Sequence, residues 1–269
     1  MTDVALSLVG KEEPVVDSAA RARRRYFPAV EGCRGVAALA VLAGHFLAFS
    51  HPLGGVWTVA GSWTARFGVV LFFGISGFLL YRPFVAARHS ERSAAELTPS
   101  FLWRRAARIL PGYWVALTLL AIWPGIAEAF SMHFWRYYGL LQIYDLRWEE
   151  IGGLPTAWTL CVELSFYLVL PVIAIFLATR GAGTHGRVEI RREVGFLGLL
   201  AAASIVAFGL TIVSHSALFV TGTLLGTFSW FATGMVFAVL QIEHSTATRG
   251  LAKALADPRV CWPTGLAFF

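Results

Sequence analysis

An all-α, polytopic bundle of transmembrane helices is the fold class this sequence predicts, on three observations. Mean hydropathy is +0.65. Only 14% of the 269 residues are charged, where a soluble domain carries about 25%. Apolar runs recur along the chain, most of them near the roughly 20 residues a helix needs to cross a bilayer. The formal net charge of +6 does not point to nucleic acid, because no basic patch is interleaved with exposed aromatics. The arginines gather between the apolar runs instead, as expected of cytoplasmic loops. The partner implied by composition is the lipid bilayer.

Residues 1–25 read as a short disordered basic tail. Lys11, Glu12, Glu13 and Asp17 leave no apolar stretch of the kind a signal peptide has. Arg21, Arg23, Arg24 and Arg25 precede the first span and favour a cytoplasmic N-terminus. The remainder, 26–269, forms one membrane domain. Spans are expected over Val30–Ser50, Trp63–Tyr81, Ile109–Ala127, Trp158–Ala178, Val194–Val213 and Leu218–Ile242. A cytoplasmic stretch with Arg82, Arg88, Arg92, Arg104, Arg105 and Arg108 separates the second from the third, which Pro111-Gly112 breaks early and Pro124-Gly125 late.

Residues 128–157 hold a short apolar and aromatic segment with Arg136 inside it. A full crossing there would put Arg180, Arg187, Arg191 and Arg192 outside, so a re-entrant or surface element is preferred. A last run opens at Val260 and stops at Phe269, too short to cross. The bundle is thus about six full spans, a re-entrant or short helix, and an incomplete last helix. Oligomeric state is not legible.

Ionisable groups inside spans are expensive, so each is a site hypothesis. Arg34 and His45 share the first span, about 16 Å apart along the axis and nearly on one face. They either line a polar path or act locally, with Arg34 snorkelling and His45 capping a carbonyl. In the second span, Gly74 and Gly77 allow a helix or ligand to approach the backbone, and Ser76 either back-bonds or donates to a substrate. Arg105 and Arg108 lie on one face at the membrane boundary, where guanidinium forks suit phosphate oxygens or anionic lipid. Glu163, one turn from Tyr167, must pair, accept hydrogen bonds or be protonated; Arg34 and His45 are both open as partners. The seven histidines lack ligand spacing, so no metal is expected. Cys33, Cys161 and Cys261 suggest neither disulfide framework nor zinc motif.

Four motifs follow in order: Glu31-Gly-Cys-Arg34-Gly with His45; Phe72-Phe73-x-x-Ser76-Gly77-Phe78; Arg105-x-x-Arg108-x-x-Pro111-x-Tyr113; and Trp158-Thr-Leu-x-x-Glu163-x-x-Phe166-Tyr167. That succession resembles the acyltransferase 3 family of membrane O-acyltransferases, from about Phe27 to at least Leu240. Cys33 stands where Leu is usual and Thr159 where Ser is common. The resemblance implies transfer of acetyl or another acyl group from cytoplasmic acyl-CoA, a co-substrate, to a hydroxyl of an extracytoplasmic glycan, lipid or similar acceptor. No permanently bound cofactor is implied.

Under the resemblance Arg34, His45 and Glu163 are catalytic, with His45 as general base. Arg105 and Arg108, with Ser76 and Gly77, hold the donor. Trp158, Tyr167 and Tyr113 line the pore or the acceptor. The implied location is the cytoplasmic membrane, multi-pass, N-terminus inside. Family members look like larger bundles, so the chain is expected to be a fragment, a gene cut short or a degenerate relative. Two rival readings stand beside the enzyme. One is a transporter using Arg34, His45 and Glu163; the other is a non-catalytic family remnant.

Overall fold

The computed structural model describes residues 28–50, 55–88, 93–125, 130–144, 154–181, 187–213 and 222–242. The expected N-terminal tail and the apolar run at 260–269 lie outside them. Seven helices make up the described chain: α1 Pro28–Ser50, α2 Val56–Ala87, α3 Ala94–Leu120, α4 Phe134–Tyr138, α5 Trp158–Gly181, α6 Arg187–Val213 and α7 Leu224–Ile242. Among the described residues six helices are long and apolar enough to cross a membrane. All but α4 belong to that set.

The expected spans are right in order and number but several are too short. α2 starts at Val56 and runs past Tyr81 to Ala87, and α3 begins at Ala94 rather than Ile109. Hydropathy marks the part of a helix that meets hydrocarbon, whereas backbone hydrogen bonding continues into the polar layer. The start of α3 has its own local cause. Ser93 Oγ accepts from the Glu96 backbone and Glu96 answers to the Ser93 backbone N–H, a reciprocal cap. Pro111 does not break α3 as expected, since membrane helices tolerate an interior proline when neighbours take up the freed groups. Pro124-Gly125 does end the span: the chain leaves α3 in a wide turn, Ala121–Gly125, kinked at Trp123 (φ −145°, ψ 120°).

Between α3 and α5 the described residues hold only α4 and two single turns, Gln142–Tyr144 and Pro155–Ala157. None can span a bilayer, which fits the re-entrant or short-helix expectation. This segment is pinned by aromatic donors from α3. Tyr113 OH donates to the Tyr137 carbonyl (2.7 Å) and Trp114 Nε1–H to the Tyr138 carbonyl (2.9 Å).

α2 and α7 form the spine. A Cβ on Gly77 would collide with the Phe231 carbonyl, and one on Gly234 with the Gly74 carbonyl, so the two backbones touch. Phe231 then stacks on Phe73 of α2 (4.5 Å) and on Phe166 of α5 (4.0 Å), tying three helices through fully packed rings. α1 rides on the other side of α2, seated by Gly44, Gly61 and Gly68. α6 packs on α7, where the Ser229 backbone N–H donates to Ser204 Oγ (3.3 Å). Leu39, Leu42 and Phe46 of α1 and Leu199, Val206 and Leu210 of α6 point outward. Such exposure is a liability in water; in hydrocarbon it faces its own solvent.

Candidate active site

Glu163 is the centre of the polar interior. Its Oε1 accepts from the Tyr167 hydroxyl (2.5 Å) one turn along α5, and from Ser76 Oγ (3.3 Å) across on α2. Among the described residues Oε2 accepts no hydrogen bond, and no guanidinium forms an ion pair with this carboxylate. Ser76 therefore donates to a side chain rather than to its own helix, because Gly77 brings α2 against α7 and leaves Ser76 turned toward α5.

Arg105 is half-buried and lies within electrostatic range of Glu163, Tyr167 and Arg108. Among the described residues neither Arg105 nor Arg108 makes a hydrogen bond or ion pair, so their forks are uncommitted. Beside Arg105, a cavity of about 70 Å³ opens between α2 and α3. Its walls are Leu79, Leu80, Pro83, Phe84, Leu97 and Phe101, with Arg104 and Arg105 at the polar side. Phe101, in that wall, meets Tyr167 of the Glu163 cluster edge-on (6.1 Å). An apolar slot with guanidinium groups on its polar side can receive an anionic group at its mouth. Arg104 was not among the sequence candidates, since nothing in the Arg-Arg pair tells which member faces the slot.

The other expected residues fall in separate places. Arg34 pairs with Glu31 on its own helix (3.6 Å), and His45 Nδ1 contacts the Val41 carbonyl (2.8 Å). The capping alternative for His45 thus has a physical counterpart. α1 and α2 run antiparallel, with Gly44 facing Gly61 and Ala65, and Ala37 facing Gly68. Continuing that register puts Arg34 level with residues 71–75 and His45 level with 60–64. His45 is then about 20 Å from Ser76 along the axis. Glu163 consequently does not orient His45; of the two partners the sequence left open, only Arg34 shares its depth, and Arg34 holds Glu31.

Gly77 is taken by the Phe231 carbonyl, so the structure assigns it to helix packing and not to the donor. Trp158 meets Phe73 edge-on (6.4 Å) at the start of α5. Tyr113 is buried and holds the α4 turn through the Tyr137 carbonyl. Tyr167 alone of the three expected lining residues belongs to the Glu163 cluster.

A second polar cluster was not foreseen. Arg88, just past α2, forks onto Glu193 of α6 (2.5 and 2.7 Å), with Glu189 at 3.9 Å. Tyr81 OH also donates to Glu193, and Arg88 Nη2–H donates to Tyr81 OH (3.3 Å). Burial alone would loosen the Arg88 proton, but the bonds to Glu193 more than reverse this and keep the guanidinium cationic. Arg82 Nε–H donates to Gln241 Oε1 (2.9 Å), linking the same end of α2 to α7. Charge within a predicted span was the available signal, and it was lost because the spans were drawn too short. Among the described residues no group of three or more His, Cys, Asp or Glu is placed to hold a metal.

The chain is a multi-helix membrane protein of the acyltransferase 3 family, whose "acyltransferase domain" profile matches residues 27–256. Among relatives, it is 27% identical over 172 residues to the peptidoglycan O-acetyltransferase OatA of Listeria monocytogenes, covering 58% of this chain and 26% of that protein. It is 26% identical over 212 residues to the O-acetyltransferase OatA of Staphylococcus aureus, covering 74% of this chain and 31% of that protein. The chain spans less than a third of the length of these relatives. No solved structure matches it.

Proposed function

We propose that this domain moves an acetyl or other acyl group from acyl-CoA to a hydroxyl of a glycan or lipid across the bilayer. The observation that carries the reading is Arg105, which lines the slot between α2 and α3 and lies within electrostatic range of the Glu163 cluster. Arg104, Arg105 and Arg108 take the phosphates of the donor, and the uncharged arm runs along Leu80, Phe84 and Phe101. This arginine-rich end is cytoplasmic, by the bias of Arg toward that side, in the cytoplasmic membrane with the N-terminus inside. The relatives' printed names, peptidoglycan O-acetyltransferase among them, support an extracytoplasmic glycan as the acceptor.

The acceptor enters at the opposite end, near His45. His45 takes the hydroxyl proton as the oxygen bonds to the acyl carbon. The carbon–sulfur bond breaks, and the departing CoA sulfur recovers a proton. Arg34, deeper on α1, orients the donor's arm below the reacting end. Glu163 orients Arg105 through space and keeps the middle of the path polar.

The test is transfer of radiolabelled acetyl from acetyl-CoA to a glycan acceptor by the full chain in nanodiscs. His45→Ala is expected to abolish transfer while the protein folds and inserts normally. Undiminished transfer in that variant removes His45 from the base role. A transporter would instead move solute across proteoliposomes with no covalent product.

A further inference from the structure

The arginines of α3 do not share one environment. Arg105 is half-buried and lines the slot, with Arg104 on its polar side. Arg108 is absent from the slot wall and exposed, one turn nearer the middle of the span. Trp103, Arg104, Ala107, Arg108 and Pro111 fall in one outward sector of the helix, and all five are exposed. Trp103 is the most open of them, at 74%. Among the described residues neither its indole N–H nor the Arg108 guanidinium has a hydrogen-bond partner, and Arg104 reaches only Ser100 Oγ (3.3 Å). The acid nearest in sequence, Glu96, is spent on the helix cap. Arg105 has both other guanidiniums and one carboxylate, Glu163, in electrostatic range. Positive charge is therefore in excess at this place, and it faces outward. From Ile109 to Trp123 the helix carries no charged residue, and Val115 and Leu119 beyond Arg108 are exposed at 60% and 61%. Tryptophan and arginine thus stand at the foot of an open apolar stretch, where a span meets the headgroups of its leaflet.

We propose that the outward face of α3 at Trp103, Arg104 and Arg108 seats an anionic phospholipid of the adjoining leaflet, and that this lipid competes with the donor for the two arginines. The competition rests on the acyl-transfer reading, while the seat itself does not. Charge complementarity selects the occupant: a zwitterionic lipid carries its own cation beside the phosphate, whereas a phosphatidylglycerol phosphate arrives with a net negative charge. Its phosphate meets the Arg104 and Arg108 forks, its glycerol region takes the Trp103 N–H, and a tail runs past Pro111 along Val115 and Leu119. A donor has to enter the slot at Arg105, but a lipid already in the leaflet reaches Arg108 without leaving it. The charge of the leaflet then sets how strongly the donor is held.

The experiment uses the full chain in nanodiscs of phosphatidylcholine, alone or mixed with phosphatidylglycerol. Electron spin resonance of spin-labelled forms of each lipid reads which one the chain immobilises, and calorimetry reads acetyl-CoA affinity in each bilayer. The wild-type chain is expected to select phosphatidylglycerol about fivefold, and phosphatidylglycerol to weaken acetyl-CoA binding about threefold. Arg108→Gln should abolish the selection, and Arg108→Lys, which keeps the charge, should retain most of it. Trp103→Leu should lower the selection and shrink the effect of phosphatidylglycerol on acetyl-CoA, with acetyl-CoA affinity in phosphatidylcholine unchanged. Equal immobilisation of the two lipids by the wild-type chain overturns the proposal, as does selection that survives in both Arg108→Gln and Trp103→Leu. An undiminished phosphatidylglycerol effect on acetyl-CoA in Trp103→Leu also overturns it, because general surface repulsion needs no seat. Lipid selection as expected with acetyl-CoA bound in neither bilayer would keep the seat and remove the acyl-transfer reading, and the competition with it.

Discussion

Glu163 and Glu193 both sit within helices of this bundle, and their surroundings are opposite. Glu193 is 2% exposed and closed on all sides by a bidentate arginine and a tyrosine. Glu163 is half-buried, takes two hydroxyls on one oxygen, and has Arg105 in electrostatic range, which among the described residues makes no hydrogen bond or ion pair. A buried charge is tolerated only when paired and hydrogen-bonded. Glu193 meets that condition within the protein alone, whereas the Glu163 site leaves cations and a carboxylate oxygen free to meet something else. The first is built as a joint between α2 and α6, and the second suits the proposed function, in which a ligand completes the electrostatics.

The largest test of that contrast is Arg88→Met. It strands Glu193 and should cost about 3–5 kcal/mol, read as a collapse of monodisperse protein in detergent and a lower denaturation midpoint. Arg88→Met combined with Glu193→Leu should recover most of that loss, because two apolar groups need no partner. If the double variant is as unstable as the single one, the pair does more than neutralise itself.

Glu163→Gln should behave in the reverse way. It keeps an acceptor for Ser76 and Tyr167, so stability should change by less than about 1 kcal/mol, while acyl transfer falls at least about tenfold, near 1.4 kcal/mol of barrier. A large loss of stability with transfer intact would make both carboxylates structural and erase the difference. Arg105→Gln should raise the Michaelis constant for acetyl-CoA about tenfold, again near 1.4 kcal/mol, with little effect on melting temperature. Smallest is Ser76→Ala, expected to lower stability by about 1 kcal/mol or less in a urea or mild-detergent unfolding series.

The bundle was legible because six runs of apolar residues exceed what a soluble core needs, and the bilayer reads that pattern as the sequence does. Helix ends were not: the last turns of α2 and the first three of α3 carry arginine and serine, which hydropathy reads as loop. The same blindness hid Arg88 and Glu193, separated by 105 positions, since nothing local links them. Glu163, Tyr167 and Arg105 were visible as charge or polarity in spans and do gather in space. Gly77 was visible as a close approach, but only the structure says that the approaching atom is the Phe231 carbonyl.

The length of α2 has a consequence for the lipid. Its 32 residues make about 48 Å of helix, against a hydrocarbon layer of about 30 Å. It must project or lean, and a leaning rod moves most at its tips and least at its middle. Phe73 and Ser76 are near the middle; Arg88 is at a tip. Because α1 and α7 touch the α2 backbone, the three lean as one raft. Bilayer thickness therefore acts on the Arg88 joint before it reaches the Glu163 cluster, making lipid composition a dial on durability more than on turnover.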